Sequence, residues 1–381
     1  MNGALDDILV VDFSTLLPGP MATLFLAEAG AEVIKVERPG TGEEMRAYHP
    51  RWGVDSVNFN MLNRGKKSIA VNLKDPAATE GLRPLLERAD VIVEQFRPGV
   101  MDRLGLGYEA IREINPDIIY CSITGYGQNG PKSLRAGHDL NYIGDAVLLA
   151  LSSGPVSSPV VPPALIADIA GGTYPAVMNI LLALRKRDRS DEGSRLDVSM
   201  ADGLFPFMYW AIGDGQGANA WPGNGDSLVT GGTCRYRVYR AADNKLVAAA
   251  PIEEKFWQIF VEAISLEAEF RDDTKDPAAT LARVAEIIGS EPSDHWRTVF
   301  EEADCCCSIV GTVKEALADP HFKARGVFDG IIVNETGAEI TALPVPIEAD
   351  LKTQENKRAA PRLGEHNALI EGARKVKGYG T

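Results

Sequence analysis

Three consecutive stretches near the start of the chain constrain its fold most. "ILVVDF" (8–13) is an apolar run, with one aspartate, that reads as a buried strand. "PMATLFLAEAG" (20–30) spaces its apolar residues helically and stops at a glycine. "AEVIKVE" (31–37) is a second strand. A strand, a helix and another strand in this order predict parallel strands with helices on the sheet faces. The rhythm continues. "SIAVNL" (68–73) reads as a strand and Ala77 to Ala89 as a helix. "DVIVEQF" (90–96) is a strand, 108–115 a helix, and "DIIYCSITGYG" (117–127) a strand. The expected fold class is α/β. The first turn, "STLLPGPM", lacks G-x-G-x-x-G, which argues against a nicotinamide dehydrogenase despite the Rossmann-like rhythm.

Further on, "TYPAVMNILLALRKR" (173–187) predicts a long core helix closed by cations, and "LDVSMADGLFPFMYWA" (196–211) begins another buried element. Glycine and polar residues dominate from 213, so 213–234 reads as a linker. Residues 235–325 mix short strands with helices and predict a smaller α+β domain. The remainder, 326–381, holds a strand or two and then "PRLGEHN".

A length of 381 residues suits two domains or one large one. The net charge of −14 argues against a nucleic-acid partner. No apolar run approaches membrane-span length and the N-terminus is no leader, so no membrane association is expected. Five cysteines, three of them adjacent at 305–307, include no C-x-x-C. Reduced thiols, a cytoplasmic location and no bound metal are the expectation.

Only five histidines are present, and one stands in "RAGHDLNYIG" (135–144). His138 shares protons near neutral pH, Gly137 permits close backbone approach, and Asp139, Asn141 and Tyr142 supply groups that orient or bind. Asp168, in "PPALIADIAGGTYP", precedes small residues at a helix start. An N-capping aspartate fits that pattern. So does a catalytic carboxylate, with helix N–H groups left to hold a developing oxyanion. Glu253 follows an apolar strand in "AAAPIEEKFW", beside an ordinary surface candidate, Glu254. Arg38, the cations of "NRGKKS" (63–68), Lys74, Arg97 and Arg103 gather near strand ends, where open α/β sheets bind ligands. In an acidic chain, such a set predicts a phosphate-bearing ligand.

Five further stretches bring a family into view: "LPGPMATLFLAEAGAEVIKVERP", "NRGKKSIAVNLK", "VEQFRPGVMDRLGLGY", "YCSITGYGQNGP" and "PRLGEH". Across about residues 5–370 the chain resembles the family III CoA-transferase (CaiB/BaiF-type) superfamily, and within it the α-methylacyl-CoA racemases. "GHDLNY" resembles the racemase motif, whose histidine the transferases usually replace with tyrosine or phenylalanine. The resemblance implies a homodimeric enzyme of lipid metabolism that epimerises 2-methylacyl-CoA thioesters through an enolate. His138 and Asp168 are implied as proton carriers, with Glu253 supporting the imidazole. CoA contacts are implied at Arg38, at Val71, Asn72, Leu73 and Lys74, and at Gln95, Phe96, Arg97 and Arg103. Gly137, Asp139, Leu140, Asn141 and Tyr142 complete that set. No cofactor is implied beyond CoA itself, carried in the substrate. The implied architecture is a Rossmann-like large domain from both chain ends (1–212 and 326–381), a small domain, and two interlocked subunits. The rival within the superfamily is a CoA-transferase in which Asp168 forms an acyl anhydride. Thr233, Cys234 and Arg235 depart from the racemase pattern.

Overall fold

A computed structural model of the chain describes residues 3–355 and 357–370. Six strands form one parallel sheet: β1 (Leu9–Asp12), β2 (Glu32–Glu37), β3 (Lys67–Ala70), β4 (Val91–Glu94), β5 (Ile119–Thr124) and β6 (Ser194–Ser199). Their spatial order is β3-β2-β1-β4-β5-β6, with every pairing parallel. This is the doubly wound order, which reverses between β1 and β4 and opens a crevice at the carboxyl ends of those two strands. β4 and β5 are buried at every position, as covered parallel strands must be. β6 lies at the sheet edge and alternates polar and apolar residues, so it lacks the continuous apolar signature.

Helix α1 (Pro18–Glu28) enters with Pro18 inside its first turn and buries Met21, Leu24 and Phe25. The stretch 77–89, expected as one helix, forms two, Pro76–Glu80 and Arg83–Leu86. Pro84 has no N–H to extend the first, so the ladder restarts. α2 is Asp139–Asp145. α3 is Tyr174–Ser190, preceded by a π-helical turn, Ala167–Thr173. The π turn and α3 together form a helix of 24 residues, Ala167–Ser190, the one helix among the described residues long and apolar enough to cross a membrane by length and composition. Here it packs on α1, β5 and β6. It is not wholly a core helix, because Met178, Leu181 and Leu182 are exposed.

The chain divides into two compact units. One runs to Ala146, resumes over Ala164–Phe207 and returns from Pro320; the other comprises Val147–Pro163 and Met208–Asp319. The boundaries therefore differ from the expected 212/213, 234/235 and 325/326. The expected linker belongs to the second unit, where α4 (Tyr209–Ala218) fills part of it. Asn224 draws 147–163 into the same unit. Its carboxamide accepts from the Ser153 amide (2.9 Å) and donates to the Gly154 carbonyl (2.7 Å). The second unit is built on an antiparallel sheet of β7 (Arg237–Arg240), β8 (Leu246–Ala249) and β9 (Cys307–Ile309), with β8 central. α5 (Glu254–Ala263), α6 (Pro277–Ser290) and α7 (Ser293–Ala303) bury Trp257, Phe260, Ile288, Trp296 and Phe300 in its core. In the first unit, β10 (Ile331–Val333), β11 (Glu339–Thr341) and β12 (Lys357–Ala359) form a small sheet. The "PRLGEHN" tail guards the exposed edge of β3: Ser68 N–H donates to His366 Nδ1 (3.2 Å), and Ala70 N–H to Asn367 (2.8 Å).

A buried ionic network ties the loops after β1 and β2 to Lys66, just before β3. Lys66 Nζ reaches Asp12 (3.2 Å), Thr23 (2.7 Å), Asn63 (2.9 Å) and the Pro20 carbonyl (2.9 Å). Lys35 donates to the Ser14 carbonyl (2.7 Å) and pairs with Glu43 (3.4 Å). Burial alone would raise the Asp12 carboxyl. Lys35, Lys66 and the hydroxyls of Ser14 and Thr23 instead hold it at about 2. Two of the "NRGKKS" cations are therefore internal struts, since Arg64 is likewise buried against Glu28 (2.8 Å). The phosphate-binding expectation does not extend to them. The loop so anchored reaches the π turn, where Thr173 donates its hydroxyl to the Pro18 carbonyl (2.9 Å).

Candidate active site

His138 is the residue before α2, held extended (φ −126°, ψ 176°) with its N–H donated to Asn141 Oδ1 at 3.0 Å. The residue is exposed. Asp139 turns the other way and is buried, 5% exposed. Its Oδ1 accepts the Asp168 N–H at 3.0 Å, and the amides of Ala167 and Ile166 also point at its carboxylate. One residue thus links the two candidate proton carriers: it follows His138 in the chain and binds the backbone of Asp168.

Asp168 sits in the first turn of the π segment rather than at an N-cap. The helix-start amides expected to hold an oxyanion are the ones Asp139 occupies, so that expectation fails for Ile166, Ala167 and Asp168. Helix position alone favours ionised Asp168. Burial outweighs it and pushes the carboxyl up to about 7, with the nearby charge of Asp139 adding to the rise. The small residues after it serve packing rather than a ligand. A Cβ on Gly171 would stand 2.1 Å from the Met200 carbonyl oxygen, and one on Gly172 would stand 3.0 Å from Met200 Cγ.

Gly137 has a similar explanation. A Cβ there would lie 2.7 Å from the Tyr142 ring, so this glycine admits an aromatic side chain. Tyr142 is buried, edge-on to Tyr126 (5.2 Å), and donates its hydroxyl to the Gly137 carbonyl. Burial raises its phenol, Asp168 adds to that rise, and Arg97 opposes it, so Arg97 lies within electrostatic reach of this loop. Leu140 is exposed beside it.

The remaining expected CoA contacts lie at or beyond the carboxyl ends of β2, β3 and β4. Gln95 accepts the Gly19 N–H at 3.0 Å. Phe96 packs on the core, and its N–H donates to Glu94, whose carboxyl burial pushes up to about 7. Val71 is buried and donates its N–H to the Glu37 carbonyl (2.8 Å), while Asn72 accepts from the Lys74 amide (3.2 Å). Leu73, Lys74 and Arg103 line one cleft of about 540 Å³. Arg38 is exposed and donates to Thr41 (2.7 Å) and to the Gly42 carbonyl (2.7 Å).

Glu253 lies at the start of α5 in the second unit, exposed and with no hydrogen-bond partner for its carboxylate among the described residues. The grouping of His138 with Asp168 belongs to the first unit and does not include it. Glu254 is committed elsewhere, to Arg235 (2.9 Å) and Gln258 (2.6 Å). Arg235 also pairs with Asp273 (2.7 Å) and lies 4.8 Å over Trp257, so this departure from the racemase pattern is an internal brace. The five thiols are unpaired. Among the described residues no cluster of His, Cys, Asp or Glu forms a metal site.

Residues 5–367 match the model of CoA-transferase family III, and the chain belongs to that family. The human alpha-methylacyl-CoA racemase is 30% identical over 96% of this chain and 92% of its own length. The acetyl-CoA:oxalate CoA-transferase of Acetobacter aceti is 31% identical over 97% and 95%. A crystal structure of a CAIB/BAIF family protein from Brucella suis superposes with a TM-score of 0.82 at 28% identity, covering 98% of this chain and all of that one. The chain is therefore a mixed α/β enzyme of the family that holds both racemases and CoA-transferases.

Asp139→Asn keeps an acceptor for the helix amides but removes the negative charge beside Asp168. The limb of the pH–rate profile governed by Asp168 is expected to move to lower pH. A profile that keeps its position would show that Asp139 does not tune that carboxyl.

Proposed function

We propose that the chain is a racemase or epimerase of 2-methylacyl-CoA thioesters working by two-base proton transfer. The observation that carries this reading is the bridge through Asp139, which ties the residue after His138 to the backbone of Asp168. An α-proton beside a thioester is a weak acid, so inversion needs a positioned group on each face of the carbon. One removes the proton while the other delivers its own. A carboxyl raised to about 7 suits that exchange, because at neutral pH it is present both as acid and as base. His138 serves one face and Asp168 the other, and the roles reverse for the other epimer. Glu253 is assigned to steady the imidazole. Arg38, Val71 to Lys74, Gln95 to Arg97, Arg103, and Gly137 with Asp139 to Tyr142 are assigned to the neighbourhood of CoA.

The same reading makes the enzyme a cytoplasmic, interlocked homodimer of lipid metabolism. The exposed apolar side chains Met178, Leu181, Leu182, Phe205 and Phe207 support an assembly that covers them.

The test is incubation in heavy water with a panel of 2-methylacyl-CoA thioesters. Exchange of the α-hydrogen and interconversion of epimers, with no added acid, are expected. CoA transfer that requires a carboxylate acceptor, with Asp168 trapped by hydroxylamine, would establish the transferase instead.

A further inference from the structure

We infer that Cys305 and Cys307 form a dithiol that closes reversibly to a disulfide, a redox modification site on the second unit beside Glu253. The site itself is independent of the thioester reading; its effect on turnover rests on that reading.

The cysteine triplet follows α7, and its last member opens the edge strand β9. The three thiols do not share one environment. Cys305 is buried, Cys306 is exposed and Cys307 is half-buried. Cys305 and Cys307 both pack into the apolar core around Trp257. Cys306 between them adopts φ +58°, in the left-handed region that a residue with a Cβ rarely enters. There Cys307 Sγ lies 3.6 Å from the Cys305 carbonyl oxygen. The two sulfurs meet as well: the Cys307 thiol donates to Cys305 and holds that thiol below its usual range. A disulfide needs two side chains directed to each other at close range, which Cys305 and Cys307 supply. The other two cysteines are placed elsewhere. Cys121 lies in β5 of the first unit, and Cys234 donates to Asp273 (3.7 Å).

The oxidant is a small-molecule disulfide such as oxidised glutathione. Cys307, the more accessible of the pair, takes up one glutathionyl sulfur and releases one glutathione. The Cys305 sulfur then attacks Cys307 Sγ and expels the second. The two thiols lose two electrons and two protons in all, and oxidised glutathione becomes two glutathione molecules. Closing this ring twists the turn at Cys306, whose carbonyl accepts the Ala250 N–H at 3.0 Å. Ala250 opens the short segment that leads to Glu253. Burial raises the Cys306 thiol and the charge of Glu253 adds to the rise, so the triplet and this carboxylate are neighbours. Oxidation of the pair therefore acts on the residue assigned to steady the imidazole.

The experiment incubates the full-length protein with oxidised glutathione, removes the oxidant, alkylates with N-ethylmaleimide in denaturant and digests with trypsin. Residues 298–314 form one tryptic peptide that carries all three thiols. In the reduced protein each should take the label. After oxidation Cys305 and Cys307 should both escape it, and dithiothreitol should restore it to both. Cys306→Ala should keep the disulfide, whereas Cys305→Ala and Cys307→Ala should each lose it. Full labelling after oxidation, a disulfide that involves Cys306, or one between two chains would each overturn the inference. Cys306→Ala, altered only at the exposed position, decides the site even where the other two variants fold poorly. Oxidation should also lower the rate of epimerisation, in the parent and in Cys306→Ala alike, with recovery in dithiothreitol. An unchanged rate in the disulfide-bonded enzyme would overturn the coupling to Glu253. If no thioester exchanges its α-proton in either state, the racemase reading fails, and the labelling still decides the site.

Discussion

Asp168→Asn is expected to lower kcat/KM for epimerisation by about 10²- to 10⁴-fold, the usual contribution of one acid–base group. The protein should nonetheless become more stable in mild alkali. Burial and Asp139 raise this carboxyl to about 7 in the folded chain, well above its ordinary value. Between that ordinary value and about 7, the folded state holds a proton that the unfolded state has released. Stability contributed by the protonated group is therefore lost as pH rises through this window. Above it, a partly buried charge must be tolerated next to Asp139. Asparagine removes that charge, so the thermal midpoint of Asp168→Asn should exceed that of the parent at pH 8 and converge with it near pH 4. Loss of activity together with gain of stability is the signature of a residue strained for chemistry. A variant less stable than the parent at pH 8 would show that Asp168 is a structural strut.

His138→Gln is expected to cost a comparable 10²- to about 10⁴-fold in epimerisation. The fold should hardly respond, because the residue is exposed and its backbone N–H donates to Asn141 Oδ1, a bond that glutamine keeps. Urea unfolding should give a midpoint and slope close to the parent. Far-ultraviolet dichroism with parental turnover would remove the histidine from the mechanism. A collapse in stability would instead assign it to structure.

The two residues were legible in the chain for different reasons. "GHDLNY" is a local pattern, and His138 stands exposed just before α2. Asp168 was visible as a carboxylate among small residues at a helix start, but its environment was not. Asp139 binds an amide 29 residues away, and no local pattern records a contact of that span. The packing role of Gly137, Gly171 and Gly172 was hidden, because a sequence does not show that Tyr142 and Met200 occupy the space a Cβ would take. Arg64 and Lys66 resembled surface cations. Their partners Glu28 and Asp12 lie 36 and 54 positions earlier, so burial was hidden. Central strands such as β4 and β5 were read directly from continuous apolar runs, whereas β6 escaped because an edge strand keeps polar residues. The second unit holds 147–163 through Asn224, through the Gly225 N–H donated to the Leu151 carbonyl (2.8 Å) and through Leu151 packed with Met208 and Ala211, and the first two lie inside a stretch whose glycine content suggests a free linker.

The most direct measurement is deuterium wash-in to each pure epimer of 2-methyldecanoyl-CoA, with His138→Gln and Asp168→Asn compared side by side. If one group serves each face, each variant should label a single epimer without inverting it, and the two variants should label opposite epimers. Labelling of the same epimer by both variants, or continued interconversion by either at the parental rate, would contradict a two-sided proton relay.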